Sequence, residues 1–300
     1  MTTPLVSIVC ITYNQELYLR QALDSFLMQA ADFPFEVILA DDCSTDGTRA
    51  ICEEYSRKYP DFICYLCREK NIGVVANENC AIQAAKGKYI ALCEGDDYWT
   101  DPLKLQKQVA FMESHPEYSV TFHRYRIHYE KTDLWMPDNA GQLFEKETSE
   151  GCEITIEQSL ENWITQYLTA VFRRDCYDST WPDKYKWYRD SHLFYHLMTK
   201  GRAFLFSFDG GVYRQTGNGM YSTLNESEKQ LITISVCREL WENNEDERLR
   251  APYIKALQFF IDSYYKEPKH KKDVLKMSFI LLCLTHNIKL TIKNLMKVLK

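Results

Sequence analysis

Three acidic residues stand together in the segment "CEGDDYW" at residues 93–99, directly after an apolar run. Glu94, Asp96 and Asp97 would repel one another by about 4 kcal/mol per contacting pair at an effective dielectric constant near 20. Carboxylates bind hard divalent cations, and Mg²⁺ often combines one or two of them with phosphate oxygens of a substrate. A diphosphate shares a pocket with such acids only if a cation lies between them. The segment therefore predicts a metal bridge to a nucleotide diphosphate.

A second acidic pair, Asp41 and Asp42, begins the segment "DDCSTDGT" after another apolar run. The hydroxyls of Ser44 and Thr45 suit a turn or the cap of a following helix. A turn alone does not explain why a buried strand should end in two acids. A carboxylate here can instead accept a hydrogen bond from the N3–H of uracil or from a ribose hydroxyl. The segment alone leaves both interpretations open.

Strand and helix patterns alternate around these acids. Short apolar runs at residues 5–11, 35–40, 62–67 and 89–93 predict strands buried on both faces, with helical periodicity between them. This alternation predicts a doubly wound, mostly parallel α/β sheet over the first hundred residues. Ligands of such sheets bind in the crevice beyond the carboxyl ends of the strands, where both acidic groups fall.

The pattern changes beyond about residue 118. We expect a strand over 118–130, a mobile loop over 137–151, a strand over 166–175, a helix over 191–201, a strand over 203–208, a glycine-rich loop over 209–222 and helices beyond it.

Charge and hydropathy argue against two classes of protein. The 300 residues carry a formal net charge of −6, whereas a nucleic-acid-binding protein usually shows a basic face. The apolar run "FILLCL" is far shorter than the ~20 residues that a membrane span requires. Because no signal segment stands at the start, we expect a cytoplasmic protein.

Eleven cysteines fall mainly on predicted strands and helices, among them Cys10, Cys52 and Cys80. Cys64 and Cys67 form a single CxxC pair, without the second pair that a zinc site needs. We therefore expect buried free thiols in a reducing compartment rather than a metal or redox site.

Five motifs, in this order along the chain, resemble those of the family 2 glycosyltransferases, which have the GT-A fold. The resemblance is strong over about residues 1–115 and looser from there to 222. It implies transfer of a sugar from a nucleoside diphosphate donor, typically UDP-linked, to an acceptor hydroxyl with inversion, and Mg²⁺ or Mn²⁺ as cofactor. The motifs are "VSIVCITYN", "DDCSTDGT", "NIGVVANENCAIQAAKGKYIALCEGDDYW", "WYRDSHLFYHL" and "VYRQTGNGMYS".

The resemblance also implies roles for single residues of the donor site. Tyr13, between Thr12 and Asn14, would stack near the base, and Asp42 would read uracil. Asp97 would bind the metal ion. The other donor-site residues implied by the family pattern are Asp96 near the ribose, Asn71, Gly73 and Asn79 around the pocket, and Arg214 near the phosphates.

The family pattern places a general base at "RD" before an amphipathic helix, which makes Asp190 the candidate. An Asp at this position also suits a helix N-cap.

His192 and His196 have the spacing of a metal pair but no accompanying glutamate or third ligand. We expect these two to make packing or acceptor contacts. Thr216 stands where many relatives have His, so the family's third metal ligand is missing there and Arg214 would carry more of the phosphate charge.

These patterns predict three segments. Residues 1–117 form the nucleotide-sugar-binding half, 118–225 the acceptor-binding half of the same domain, and 226–300 a basic helical tail. The acceptor would be a saccharide or a lipid-linked saccharide.

A dehydrogenase of the Rossmann type is disfavoured because the turn after the first strand, "TYNQE", lacks G-x-G-x-x-G. A non-catalytic glycan- or nucleotide-binding module on the same fold is the alternative that turnover would exclude.

From residue 266 onward the tail has nine lysines against two acidic residues. Ile288, Ile292, Leu295 and Leu299 fall on one helical stripe, with lysines beside it. Such a helix can lie in the interface of an anionic membrane, or it can pack its apolar stripe on its own domain. Both interpretations stay open.

Overall fold

A computed structural model of the chain describes residues 3–144, 150–162, 164–217, 219 and 223–285. The strands are β1 (Val6–Thr12), β2 (Phe35–Asp41), β3 (Ile63–Cys67), β4 (Tyr89–Leu92), β5 (Tyr98–Trp99), β6 (Tyr118–Tyr129), β7 (Leu134–Pro137), β8 (Gly151–Ile154), β9 (Val171–Arg173) and β10 (Arg202–Gln215). The α-helices are α1 (Leu19–Leu27), α2 (Thr48–Lys58), α3 (Val74–Ala84), α4 (Lys104–Ser114), α5 (Gly141–Phe144), α6 (Ile156–Asn162), α7 (Asp190–Lys200), α8 (Glu226–Asn244), α9 (Arg250–Tyr264) and α10 (Lys271–Thr285).

The described strands form one ten-stranded sheet, in the order β3-β2-β1-β4-β9-β6-β10-β5, with β7 paired to β6 and β8 to β10. β3, β2, β1 and β4 run parallel, as do β6 and β10. Two apolar clusters fill the core, one including Leu23 of α1 and Val109 of α4, the other Ile82 of α3 and Leu193 of α7. The predicted doubly wound, mostly parallel α/β fold is confirmed.

One long strand, β10, replaces the predicted strand and part of the glycine-rich loop over 203–222. It continues through Gly210 and Gly211 with an irregular register against β6. A Cβ on Gly210 would lie 2.7 Å from the ring of His123, and one on Gly211 would lie 2.9 Å from the carbonyl oxygen of Tyr98. These glycines mark close packing inside the sheet, so the prediction of a loop is wrong for this stretch.

Two other predicted elements differ in extent. The strand expected over 166–175 is shortened to β9, because a 3₁₀ turn, Tyr167–Thr169, precedes it. The mobile loop expected over 137–151 contains the last residue of β7 and the single turn α5, while residues 145–149 lie outside the described part.

The cysteine prediction is right for the buried Cys10 and Cys52 but wrong for Cys64, Cys67 and Cys80, which are exposed. β3 is the first strand in the sheet order, so it has a neighbour on one side only. All these thiols are free, and no metal-binding group occurs in the described part of the chain.

The C-terminal helices α8, α9 and α10 enclose an apolar core of their own, which includes Phe260 and Leu281. α8 also contacts the segment before α7, since Asn244 Nδ2 donates to the hydroxyl of Tyr185 (2.8 Å). The predicted tail is therefore packed helix as far as residue 285, and the stripe at 288–299 lies outside the described residues. None of the described helices has the length and apolar character needed to cross a bilayer.

Candidate active site

The loops that follow β1 and β2 are hydrogen-bonded to each other. The N–H of Asn14 donates to Ser44 Oγ (2.9 Å), and Asn14 Oδ1 accepts from the N–H of Thr45 (2.8 Å). Asn14 has a φ of 53°, a left-handed conformation that asparagine tolerates well. Thr12 is buried, whereas Tyr13 is 46% exposed. The loop is thus fixed on both sides of Tyr13, whose ring is accessible to a ligand.

The acidic pair at the end of β2, Asp41 and Asp42, is buried and hydrogen-bonded within the protein. Asp41 Oδ1 accepts from the N–H of Ser44 (3.1 Å), which supports the turn interpretation. The two carboxylate oxygens of Asp42 accept from the N–H groups of Ile72 and Gly73, both at 2.8 Å. Asp42 therefore ties the end of β2 to the loop before α3. Its contact with uracil stays a prediction, and such a contact would form beside these two bonds.

The predicted pocket residues after β3 divide into two groups. Gly73 has a φ of +88° and open space at its Cβ position, so glycine is required for the backbone conformation. Asn71 is exposed and its Oδ1 accepts from the N–H of Gly73 (3.1 Å). Asn79 instead bonds the carbonyl of Ser179 (2.9 Å) and the hydroxyl of Tyr177 (3.0 Å). Asn71 and Gly73 shape the loop beside Asp42, whereas Asn79 fastens α3 to the segment before α7.

Asp97 is buried, and its Oδ1 accepts a hydrogen bond from the backbone N–H of Arg214 (2.8 Å). Its Oδ2 is buried and has no hydrogen-bond partner among the described residues. The Arg214 guanidinium donates to the carbonyl of Asp96 (2.7 Å), lies 2.9 Å from the Glu130 carboxylate, and covers the ring of Tyr98 at 4.4 Å. Asp97 is therefore held in one orientation with one oxygen left for a ligand.

Gly95 lets the acidic segment lie directly against the loop after β1. Its N–H donates to the carbonyl of Ile11 (3.0 Å). A Cβ at this position would lie 2.6 Å from Gln15 Oε1 and 2.8 Å from Thr12 Oγ1. Only glycine permits this approach without displacement, and it places Thr12 beside the acids.

Five carboxyl groups lie close enough to influence one another's ionisation. Burial, together with the charges of Asp96, Asp190 and Glu78, raises the pKa of Glu94 to about 8. Burial also raises the pKa of Asp97 well above its usual range, with contributions from Asp96 and Glu94. The pKa of Asp96 rises to about 6 through burial. A bound cation would favour the charged form of each of these acids.

The donor set suits a cation that is shared with a substrate. In the described part of the chain, no three His, Cys, Asp or Glu side chains are arranged to hold a metal ion alone. Asp97 Oδ2, however, is a buried and unpartnered carboxylate oxygen. Mg²⁺ and Mn²⁺ favour such oxygens and commonly add phosphate oxygens and water. The residues fit a metal ion held jointly by Asp97 and a diphosphate.

Asp190 is the first residue of α7, and its Oδ1 accepts from the N–H of Ser191 (2.8 Å). Arg189 is the N-cap residue, so the interpretation of Asp190 as the cap is wrong. Burial raises the pKa of Asp190, and its charge in turn acts on Glu94. The fold thus brings Asp190 from the second half of the chain to the acids that follow β4.

His192 and His196 are buried in α7, and burial lowers their pKa values to about 3 and about 4. His192 Nδ1 accepts from the N–H of Arg189 (3.1 Å), and His196 Nε2 is 2.7 Å from the hydroxyl of Tyr185. The packing role expected for them is confirmed.

Two acids of this region were not predicted. Glu130 pairs with Arg214, a contact that depends on the alignment of β6 with β10. Glu78, on α3, is only 9% exposed. In the sequence it stands in "VANENC" and resembles any exposed glutamate of a surface helix, so no local pattern indicates its burial.

Glu78→Gln should stabilise the protein more at high pH than at low pH. Burial raises the pKa of Glu78 to about 8, so its contribution to stability is full below its ordinary pKa of 4.5 and is lost as pH rises through 8. Glutamine does not ionise, so the variant should gain roughly 3 kcal/mol in unfolding free energy relative to wild type between pH 5 and pH 8. Urea denaturation at both pH values measures this. The exposed Glu53→Gln is the matched control, and an equal difference at both pH values in Glu78→Gln would contradict the assignment.

A family model, Glycosyl transferase family 2, matches residues 7–196, more than half of the chain. The match begins in β1 and ends in α7. It contains every predicted site residue except Arg214.

Two relatives each match part of the chain. The uncharacterized protein Rv1520 of Mycobacterium tuberculosis is 56% identical over 125 residues, which are 42% of this chain and 36% of that protein. TuaG of Bacillus subtilis, a putative teichuronic acid biosynthesis glycosyltransferase, is 33% identical over 172 residues, 57% of this chain and 63% of its own length. The chain spans about a third of the first relative and less than two thirds of the second.

Solved structures resemble the chain over nearly all of its length. Staphylococcus aureus TarS 1–349 in complex with UDP-GlcNAc has a TM-score of 0.56 and 21% identity, covering 96% of this chain and 88% of that one. The mannosyltransferase PcManGT of Pyrobaculum calidifontis in complex with GDP-Man and Mn²⁺ has a TM-score of 0.56 and 15% identity, covering 99% and 85%. At these identities the likeness shows a shared fold, which is of the predicted GT-A type.

Proposed function

The chain belongs to glycosyl transferase family 2, and on this premise we propose that it transfers a sugar from a nucleoside diphosphate donor, UDP-linked, to an acceptor hydroxyl with inversion at the anomeric carbon. The observation that carries this proposal is the state of Asp97, a buried carboxylate with one oxygen unpartnered among the described residues, in an acidic cluster on which the charge of Asp190 also acts. Asp97 would supply a ligand for a diphosphate-bound cation, and Asp190 would supply a base.

The donor would lie along the carboxyl ends of β2, β1 and β4. Tyr13 is accessible for stacking on the base, and Asp42 with the loop at Asn71 and Gly73 forms the adjacent wall. Asp96 is half-buried between these groups and Asp97. Arg214 fixes Asp97 through its backbone and adds a positive charge next to the position proposed for the diphosphate.

Asp190 would take the proton of the acceptor hydroxyl as that oxygen attacks the anomeric carbon. Inversion requires attack from the side opposite the leaving diphosphate, so base and diphosphate belong on opposite sides of the sugar. A carboxyl pKa that burial raises strengthens Asp190 as a base. Asp97 would hold Mg²⁺ or Mn²⁺ together with the diphosphate, and the bound ion would supply stabilisation of the charge on the leaving group.

The acceptor would be a saccharide or a lipid-linked saccharide, as in the assembly of a cell-surface polysaccharide. TuaG is named for a role in teichuronic acid biosynthesis, which supports this class without fixing the linkage. The proposal places the reaction in the cytoplasm. Release of UDP or GDP from a panel of sugar nucleotides, with and without Mn²⁺, tests it.

The C-terminal segment would bring the enzyme to the inner face of a membrane. Phe279 of α10 is 65% exposed, and Lys272 and Lys276 are exposed on the same helix. Lysines near an anionic surface contribute about 1 kcal/mol each before screening.

We expect the full chain to sediment with vesicles that contain anionic lipid. A variant with glutamine in place of the lysines at 289, 293, 297 and 300 should sediment less, because it loses four charges without losing the packed helix α10. Equal sedimentation of both proteins, at the level seen with neutral vesicles, would exclude the membrane role.

A further inference from the structure

Glu78 is buried, which is uncommon for a carboxyl group. No salt bridge to Glu78 occurs among the described residues. It lies on the second turn of α3 and is 9% exposed. Its Oε1 is buried without a hydrogen-bond partner among the described residues. Leaving such an atom unsatisfied costs about 1–3 kcal/mol, so its retention in a buried position indicates a ligand or a functional role.

Two further buried polar atoms near α3 and α7 share this property. The hydroxyl of Tyr188 and the Nε2 of His192 are buried and have no hydrogen-bond partner among the described residues, whereas the hydroxyl of Tyr167 interacts with Glu78 itself. Tyr167 and Tyr188 both lie within range of the Glu78 charge, and the ring of Tyr188 stacks at 5.7 Å from that of His192. Glu78 is thus the point where side chains from the two halves of the chain meet.

This point lies next to the proposed reaction centre. Glu78 is close enough to Asp190 and to Glu94 for the charges to act on one another. If Asp97 marks the diphosphate and Asp190 the attacking hydroxyl, the sugar that is transferred must occupy the space between them. Sugar hydroxyls each donate and accept hydrogen bonds, which is what unpartnered carboxyl, phenol and imidazole groups can satisfy.

We propose that Glu78 is a specificity-determining residue that hydrogen-bonds a hydroxyl of the transferred sugar, with the hydroxyl of Tyr188 beside it. This inference rests on the proposed function, since it uses the roles of Asp97 and Asp190 to locate the sugar. The proposed function left the binding site of the sugar unassigned. The inference assigns it to the polar side chains of α3 and of the residues around Asp190.

The test compares binding of a sugar nucleotide with binding of its bare nucleoside diphosphate. UDP-glucose, UDP-galactose, UDP-N-acetylglucosamine and GDP-mannose are titrated by calorimetry with Mn²⁺, each beside UDP or GDP, into wild type, Glu78→Met and Tyr188→Phe. Methionine keeps the length of the side chain and removes its hydrogen bonds, so for the sugar nucleotide that wild type binds best Glu78→Met should lose about tenfold or more in affinity while affinity for the bare diphosphate changes less than twofold. Tyr188→Phe should show a smaller loss in the same direction, and the exposed Glu53→Met should show none.

Two results would overturn the inference alone. An equal loss for sugar nucleotide and diphosphate would show that Glu78 only supports the fold. Unchanged binding, with a lower kcat for every donor and a shifted pH dependence, would show that Glu78 acts on Asp190 instead of on the sugar. Failure of wild type to bind any of these nucleotides would overturn the proposed function and the inference with it.

Discussion

Asp97→Asn should remove the Mn²⁺-dependent part of donor binding and lower kcat/KM by about 10²–10³, the equivalent of several kcal/mol of electrostatic stabilisation. Asparagine keeps the volume, and its oxygen still accepts the hydrogen bond from the N–H of Arg214. The change replaces Oδ2, the buried unpartnered oxygen, with an NH₂ group that cannot bind a cation. The fold should therefore persist while the metal is lost.

Titration of UDP with and without Mn²⁺ measures this effect directly. The exposed Asp61→Asn makes the same chemical change away from the crevice and should keep the wild-type dependence on Mn²⁺. If Asp97→Asn binds UDP with an unchanged Mn²⁺ dependence, Asp97 is not the metal ligand.

Asp190→Asn should lower sugar transfer by roughly 10²–10⁴, the usual contribution of a positioned general base. Since Arg189 is the N-cap of α7, and since asparagine retains an oxygen for the N–H of Ser191, stability should change by no more than about 1 kcal/mol. Donor binding should also remain, because the base acts on the acceptor.

Initial rates of transfer and the affinity for UDP, measured on the same preparation, separate these effects. Asp183→Asn, exposed in the segment before α7, is the matched control and should retain full activity. Full activity in Asp190→Asn as well would leave this carboxyl with no role in the chemistry.

Local sequence patterns were sufficient for the four parallel strands β1 to β4. The apolar runs at β1, β2, β3 and β4 are short and regularly separated by helical periodicity, so strand type and order of elements follow from the sequence. β10 was not predictable in this way. Gly210 and Gly211 normally indicate a turn, and only the ring of His123 and the backbone at Tyr98, both distant in sequence, explain why glycine is needed inside a strand.

In the candidate site, too, local signals were predictable and contacts between distant parts of the chain were not. Asp96, Asp97 and Asp42 were found because acids at the ends of apolar runs are a local signal. The contact between Asp97 and the backbone of Arg214 requires β5 to pair antiparallel with β10, more than a hundred residues later, and no local pattern encodes it. Glu78 was missed for a related reason, since the tyrosines that interact with it, Tyr167 and Tyr188, come from the other half of the chain.

The most direct test of the central claim is turnover of a sugar nucleotide. UDP-glucose, UDP-galactose, UDP-N-acetylglucosamine and GDP-mannose are each incubated with the full chain and an extract of cell-envelope saccharides and lipids, with and without Mn²⁺, and release of UDP or GDP is followed. We expect release from at least one donor, dependent on both the extract and Mn²⁺, and strongly reduced in Asp190→Asn. Binding of a donor without release from any of the four, under all of these conditions, would contradict the enzyme assignment and favour a nucleotide-binding module on the same fold.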